Sequence, residues 1–258
     1  MDQSLIRKAR RRLLDMHYHA NVGHLGGNLS CLEILMTLYH DVMTDNDTFI
    51  LSKGHAAGAL YVTMWTRGLL SGDQLCTFHG EGTSLPGHTP ANTFPCVPFA
   101  TGSLGHGLSL ACGVALARKL RGESGRVYVL TSDGEWNEGS CWEALSFSVH
   151  HKLGNLCIII DRNGMQGMGP TSEVSGMTLG VNKFSSFGVA YENIYKTSHS
   201  LVTRPRNSNS PVIIICNTVK GCGVSFMEDD WKWHYRPMDK EQYEQALSET
   251  PAEGQDNA

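Results

Sequence analysis

Two short apolar runs on either side of one helical stretch constrain this chain more than anything else in it. Residues 127–130 (VYVL) and 156–160 (LCIII) read as strands with no polar face, and 138–152 between them reads as a helix closed by Gly154. A strand with one wet face would alternate polar and apolar residues. Strands apolar on both sides and joined by a helix must instead be parallel neighbours covered on both faces. Residues 48–51 and 211–216 are two more such runs, ending in the polar turns Ser52-Lys53-Gly54-His55 and Lys220-Gly221-Cys222-Gly223. The expected class is α/β, a doubly wound, mostly parallel sheet with helices on both faces and ligands at the carboxyl ends of its strands.

Around that unit, 4–20 reads as a helix broken at Gly23-His24-Leu25-Gly26-Gly27, and a second helix is expected from Ser30, as its cap, through Asp41. Residues 76–101, rich in Gly, Pro, Thr and His, read as an ordered functional loop. A helix over 104–120 ends at Gly122. Residues 1–248 are expected to form one domain and 249–258 a frayed polar tail.

Composition excludes several function classes. With 41% hydrophobic and 18% charged residues over 258 positions, the chain can bury a sizeable core. Net charge is only −4, and the one basic run, Arg7, Lys8, Arg10, Arg11 and Arg12, lacks interleaved aromatics. It reads as a solvated helix face, and no nucleic-acid partner is expected. The start, MDQSLIRKAR, has no apolar signal segment, and no run reaches membrane-spanning length, so a soluble cytoplasmic protein is expected. None of the eight cysteines forms a C-x-x-C pair, and several lie in apolar runs; they read as buried thiols, with spacings unsuited to zinc.

The chemistry sits at the ends of the first two strands, in Ser132-Asp133-Gly134-Glu135 and Asp161-Arg162-Asn163-Gly164. Asp133 and Asn163 are 163 − 133 = 30 residues apart, which places them side by side if the strands are neighbours. Alone, Asp-Gly and Asn-Gly mark turns. Together in this context, a carboxylate and an amide oxygen suit Mg²⁺, which takes few protein ligands plus phosphate oxygens. Gly134 lets the backbone approach a phosphate, and the following helix start offers free N–H groups to the anion.

This arrangement resembles the thiamine diphosphate enzymes, whose motif is G-D-G, some thirty residues, then Asn; Ser132 stands where the first glycine belongs. The resemblance implies that fold, thiamine diphosphate and Mg²⁺ as cofactors, and Asp133, Asn163 and the Met165 carbonyl as metal ligands. The histidine turns Gly23-His24-Leu25-Gly26-Gly27, Gly54-His55-Ala56-Ala57, Gly87-His88-Thr89-Pro90, Gly102-Ser103-Leu104-Gly105-His106-Gly107 and Trp233-His234 narrow it further. With Thr218-Val219-Lys220-Gly221 and Val224-Ser225-Phe226-Met227-Glu228, they resemble the transketolase family in order and spacing from about residue 5 to 240. His106 stands where that family has glutamine, as in its shorter, split forms.

The resemblance implies transfer of a two-carbon ketol unit from a ketose or ketose phosphate to an aldose. Hydroxyl protons move in that reaction near neutral pH, where imidazole is the suited side chain. It further implies that His24, His88 and His234 meet substrate, that His55 and His234 contact the diphosphate with Gly134 and Glu135, and that Gly102, Ser103 and Leu104 contact the aminopyrimidine. Glu138 and Glu143 would belong to a carboxylate network at a subunit interface, although surface glutamates look the same. His17, His19, His40, His79, His150 and His151 have no motif behind them and read as ordinary polar residues; His199 is unassigned.

The family's activating glutamate belongs to a pyrimidine-binding domain, and the resemblance stops before one. The expected partner is therefore a pyrimidine-domain transketolase subunit in a hetero-oligomer, plausibly α₂β₂. Residues 192–211 are short and polar where the family has a longer helix, and Gly87-His88-Thr89-Pro90 replaces its Gly-His-Pro-Glu; both point to an unusual sugar. Two rival readings stay open: another thiamine diphosphate carboligase or 2-oxo acid decarboxylase subunit, and a non-catalytic assembly partner.

Overall fold

The strands define the architecture because they need cover on both sides. In the computed structural model, which describes residues 1–175, 181–195 and 209–251, the elements are α1 (Gln3–Ala20), α2 (Leu25–Thr37), β1 (Thr48–Leu51), α3 (Ala57–Thr66), α4 (Gly72–Cys76), α5 (Gly107–Arg121), β2 (Val127–Ser132), α6 (Gly139–His150), β3 (Leu156–Arg162), α7 (Thr171–Val174), α8 (Val181–Ser185), β4 (Ala190–Tyr195), β5 (Val212–Asn217) and α9 (Lys240–Glu249). The sheet has five strands in the order β1-β2-β3-β5-β4, all paired in parallel.

Alternate strand residues feed two separate cores, which is why the strands look uniformly apolar. Leu51, Tyr128, Leu130, Cys157, Ile159 and Ile214 pack under α1, α2 and α3, while Ile50, Val127, Val129, Ile158, Ile160 and Ile213 pack under α5 and α6. Each fully buried aliphatic side chain contributes about 1.5–3 kcal/mol.

Several boundaries differ from the sequence expectation. The second helix begins at Leu25, with His24 as its cap in left-handed backbone (φ 66°), and Ser30 lies inside it. Every residue of α2 except Glu33 is buried, as is Ala57–Met64 of α3, so neither helix shows an amphipathic period. Glycines 26 and 27, which look like breakers, are places where Lys220, Trp233 and His55 come close to the helix. Helix α5 starts at Gly107 rather than at Leu104, because residues 102–106 form a turn.

Strand β4 has no counterpart in the sequence expectation; among the described residues it pairs only with β5, and it retains polar residues such as Glu192 and Asn193. The remainder of the 192–211 departure, 196–208 with His199, lies outside the described residues. At the other end, Glu249 belongs to α9 and Thr250 is buried, whereas 252–258 lie outside the described residues.

The basic run is not a solvated face. Arg10 pairs with Glu33 at 3.0 Å, Arg11 donates to the Leu247 and Thr250 carbonyls at the end of α9, and Arg12 donates to the Gly72 carbonyl of α4. These cations staple α1 to its neighbours. No described helix is long and apolar enough to cross a membrane, and all eight cysteines are free.

Candidate functional site

The turns after β1, β2, β3 and β5 meet at one edge of the sheet around a buried ion pair. Lys53 is 1% exposed and Asp161 is fully buried; Lys53 Nζ donates to Asp161 Oδ2 at 2.6 Å and to the Gly27 carbonyl at 2.9 Å. Ser30 Oγ donates to the same carboxylate oxygen at 2.6 Å, and the Thr218 hydroxyl donates to Oδ1. Asn163 Nδ2 in turn donates to Ser30 Oγ at 3.2 Å. Burial alone would lower the Lys53 pKa, but Asp161 outweighs it and holds the ammonium above its ordinary value.

Beside this pair, the predicted metal ligands come together. Asp133 Oδ1 accepts the Gly134 amide at 2.8 Å and Oδ2 accepts the Gly164 amide at 2.7 Å, so the turns after β2 and β3 are bonded to each other. The register Ser132↔Asp161 sets that adjacency. Asn163 Oδ1 accepts the Met165 amide at 3.0 Å, Met165 bridges to Pro170, and the Gln166 amide donates to the Gly169 carbonyl at 2.8 Å. Asp133 and Asn163 thus line one cavity of about 360 Å³, together with Thr171 and Thr218, and Met165 lies two residues on in the turn that Asn163 opens. Burial, then the neighbouring Asp161, push the Asp133 carboxyl up to about 6 despite its two amide donors.

Gly134 faces Gln166, whose side chain a Cβ there would meet at 3.1 Å. Glu135 is fully buried, and its carboxylate accepts the Ser52 hydroxyl, the Gly105 amide at 2.8 Å and the Ser132 amide at 3.3 Å. It therefore fixes the turn carrying Gly102, Ser103 and Leu104. Gly105 has φ 86°, and a Cβ there would lie 2.8 Å from Glu138, so backbone and space both require glycine. Thr101 binds this loop to β1 by donating to the Leu51 carbonyl at 2.6 Å, and its amide donates to the Thr89 carbonyl at 3.2 Å.

The histidines singled out in the sequence converge from four separate segments. Ring centroids of His24 lie 5.5 Å from His55, 5.5 Å from His88 and 5.1 Å from His234, and His55 lies 5.1 Å from His234. Asn28 fixes two of them through the backbone, donating from Nδ2 to the His24 carbonyl at 2.8 Å and the His55 carbonyl at 3.0 Å. The His24 amide donates to the His234 carbonyl at 2.8 Å. Burial lowers the His24 pKa to about 4, with His88 and Lys220 adding to the effect. Burial and then Lys220 lower His234 to about 3, and His55 and His88 are shifted the same way by burial. Burial thus shifts all four rings toward the neutral form, which can donate at one nitrogen and accept at the other.

Lys220 joins the two regions. It is 1% exposed, its Nζ donates to the Gln166 carbonyl at 3.3 Å and lies 3.2 Å from His234 Nδ1. Burial, then Lys53, lower its pKa to about 8.

Residues 1–253 match the family described as transketolase, thiamine diphosphate binding domain. The chain belongs to the transketolase family. It is 39% identical to an apulose-4-phosphate transketolase subunit of Phocaeicola vulgatus over 259 residues, covering 94% of this chain and 91% of the relative. It is 33% identical to the 6-deoxy-6-sulfo-D-fructose transketolase subunit SqwG of Clostridium sp., covering 90% of each. The transketolase of Campylobacter jejuni superposes with a TM-score of 0.86 at 26% identity over 97% of this chain, which spans 43% of that longer protein. The transketolase of Leishmania mexicana likewise gives 0.86 at 25% identity, with this chain spanning 40% of it. This transketolase chain is therefore of the N-terminal, thiamine diphosphate-binding subunit type.

Sequence reading missed Ser30 as a partner of Asp161, and also missed Asn28, Lys53, Asp161 and Lys220 as site groups. One signal was available: a lysine two residues after an apolar strand and an aspartate inside one are charges with no water to face, and two of opposite sign imply a pair.

Proposed function

We propose that this subunit, together with a pyrimidine-domain subunit, transfers a two-carbon ketol unit from a ketose phosphate to an aldose. The carrying observation is a buried carboxylate and a buried ammonium, Asp133 and Lys220, both bonded to the 163–170 turn, through the Gly164 amide and the Gln166 carbonyl. Burial, then the neighbouring Asp161, push the Asp133 carboxyl up, and burial, then Lys53, push the Lys220 ammonium down. Among the described residues Lys220 has only a carbonyl and an imidazole as partners. A Mg²⁺-diphosphate group offers a cation and an anion in one ligand. Asp133, Asn163 and the Met165 carbonyl would hold the cation. Lys220, His55 and His234, with amides near Gly134, would face the diphosphate. Gly102, Ser103 and Leu104, held by Glu135, would lie along the aminopyrimidine.

Thiamine diphosphate, when bound, supplies the carbon nucleophile. The chain's own work is to orient the sugar and relay protons. His24, His88 and His234, held neutral, hydrogen-bond substrate hydroxyls and the ketose carbonyl oxygen, accepting a proton at cleavage and returning it at addition. The glutamate that activates the cofactor would come from the partner, in an α₂β₂ assembly. The exposed face of α6 with Glu143 and Phe147 is one surface open to it. Eight free thiols fit a cytoplasmic location.

The decisive experiment assays ketol transfer with the chain alone and after addition of the pyrimidine-domain subunit, using the sugars named for its relatives as first donors. Activity is expected only in the complex. Robust transfer by the 258-residue chain by itself would overturn the two-subunit reading.

A further inference from the structure

Tyr235 stands outside the chemistry assigned to the histidines, yet its position is built from three sides. Its carbonyl packs against Gly23 so closely that a Cβ at that glycine would strike it. Its ring stands edge-on to His24 at 5.8 Å and to His234 at 4.6 Å. Its hydroxyl reaches the turn that carries the candidate metal ligands, where a Cβ at Gly167 would lie 2.9 Å from the phenol oxygen and 3.2 Å from the His234 ring. The phenol therefore bridges the histidine pocket and the 163–170 turn, in space that a side chain at position 167 would fill.

Despite this, Tyr235 is 64% exposed, and its hydroxyl has no hydrogen-bond partner among the described residues. An aromatic ring left this open, beside polar groups that await a ligand, has its free face toward whatever enters. The histidines line the pocket more deeply: His24, His55 and His234 are all half-buried. A sugar bound among those rings therefore has the exposed Tyr235 ring beside it.

We propose that Tyr235 is the specificity-determining residue at the mouth of the histidine pocket, its ring forming the wall beside His24 and His234 and its hydroxyl hydrogen-bonding a hydroxyl or phosphate oxygen on the far part of the sugar chain. This rests on the ketol-transfer reading above and adds to it which end of the substrate is read, and by what. A site that supplies a hydrogen bond to a distal oxygen discriminates against an acceptor that lacks that oxygen.

The test uses the reconstituted two-subunit enzyme with one ketose phosphate donor and two acceptors, a two-carbon aldehyde and a five-carbon aldose phosphate. Tyr235→Phe keeps the ring and removes only the hydroxyl. Its kcat/KM is expected to fall about tenfold for the five-carbon acceptor, mostly through KM, and to stay within about twofold for the two-carbon one. Tyr235→Ala, which also removes the wall, is expected to narrow further the ratio between the acceptors. Equal losses on both acceptors, or none on either, would refute the assignment of Tyr235 while the wild type's activity kept the transketolase reading intact. A wild-type complex that transferred to neither acceptor would refute that reading and this proposal with it.

Discussion

At the strand ends the polar side chains bond one another, whereas in the histidine pocket they face one another with few bonds between them. Lys53, Asp161, Ser30, Asn163 and Thr218 form a continuous buried chain of donors and acceptors, and Asp133 is clamped by two amides. Three of the four imidazoles, His24, His55 and His234, are instead held mainly by their backbones, through Asn28 and the His24–His234 amide contact. The first construction fixes a charged group in one place. The second leaves neutral groups free to exchange protons and partners. Both depend on burial, which in one region is answered by opposite charge and in the other by loss of charge.

The sharpest break of that contrast is at Asp161. Asp161→Ala leaves the Lys53 ammonium buried without a counter-charge, and the expected cost in folding stability is about 3–5 kcal/mol. The double variant Lys53→Met with Asp161→Leu should recover much of it, because a matched apolar pair leaves no orphaned charge. Urea denaturation of the three proteins measures both. If Asp161→Ala cost no more than a surface carboxylate, the ionic region would not be the rigid one.

The second prediction crosses the two regions. His88 lies 5.5 Å from His24, and its ring packs 3.3 Å from where a Gly102 side chain would begin. His88→Ala in the reconstituted enzyme is expected to lower kcat about 10²-fold, with cofactor affinity nearly unchanged. Asp133→Ala should do the reverse, removing Mg²⁺-dependent cofactor binding in calorimetry, because the hard cation loses its charged ligand. A His88 variant that lost cofactor affinity without losing rate would merge the two regions into one.

Legibility in the sequence divides along the same line. The all-apolar strands β2, β3 and β5 and the 30-residue spacing of Asp133 and Asn163 are readable because a local pattern and a single crossover determine them. The histidine turns are readable as an ordered set. The ion pair is not, since Lys53 and Asp161 are 108 residues apart and only the sheet order brings them together. Helix α3 hides, and the start of α2 is read five residues late, for a physical reason: a helix buried all round has no polar face to give it a period. Strand β4 hides for the opposite reason, because an edge strand has water on one flank and keeps its polar residues.

The smallest effect concerns His17, which reads from sequence as an ordinary polar residue but is 2% exposed, with neither ring nitrogen bonded. Its ring packs 5.1 Å from Phe78, and burial lowers its pKa to about 3, with His24 and His79 adding to the shift. An unfolded histidine titrates near 6.5. Between pH 6.5 and about 3 the unfolded chain therefore binds a proton at this residue that the folded chain refuses. The stabilising contribution is complete above 6.5 and is lost as pH falls, by up to about 1.4 kcal/mol per pH unit. Asp133 acts in the opposite sense, since its raised carboxyl takes up a proton in the folded state first, so the wild-type acid limb is a sum of opposing slopes. The difference between wild type and His17→Phe removes Asp133 and every other shared group from the comparison. Between about pH 7.5 and 5, a window spanning the unfolded histidine's titration, the difference in urea midpoint should move in favour of the variant as pH falls, whatever its sign at the alkaline end. Parallel curves would mean that His17 titrates normally, and that neutrality by burial stops at the four histidines of the pocket.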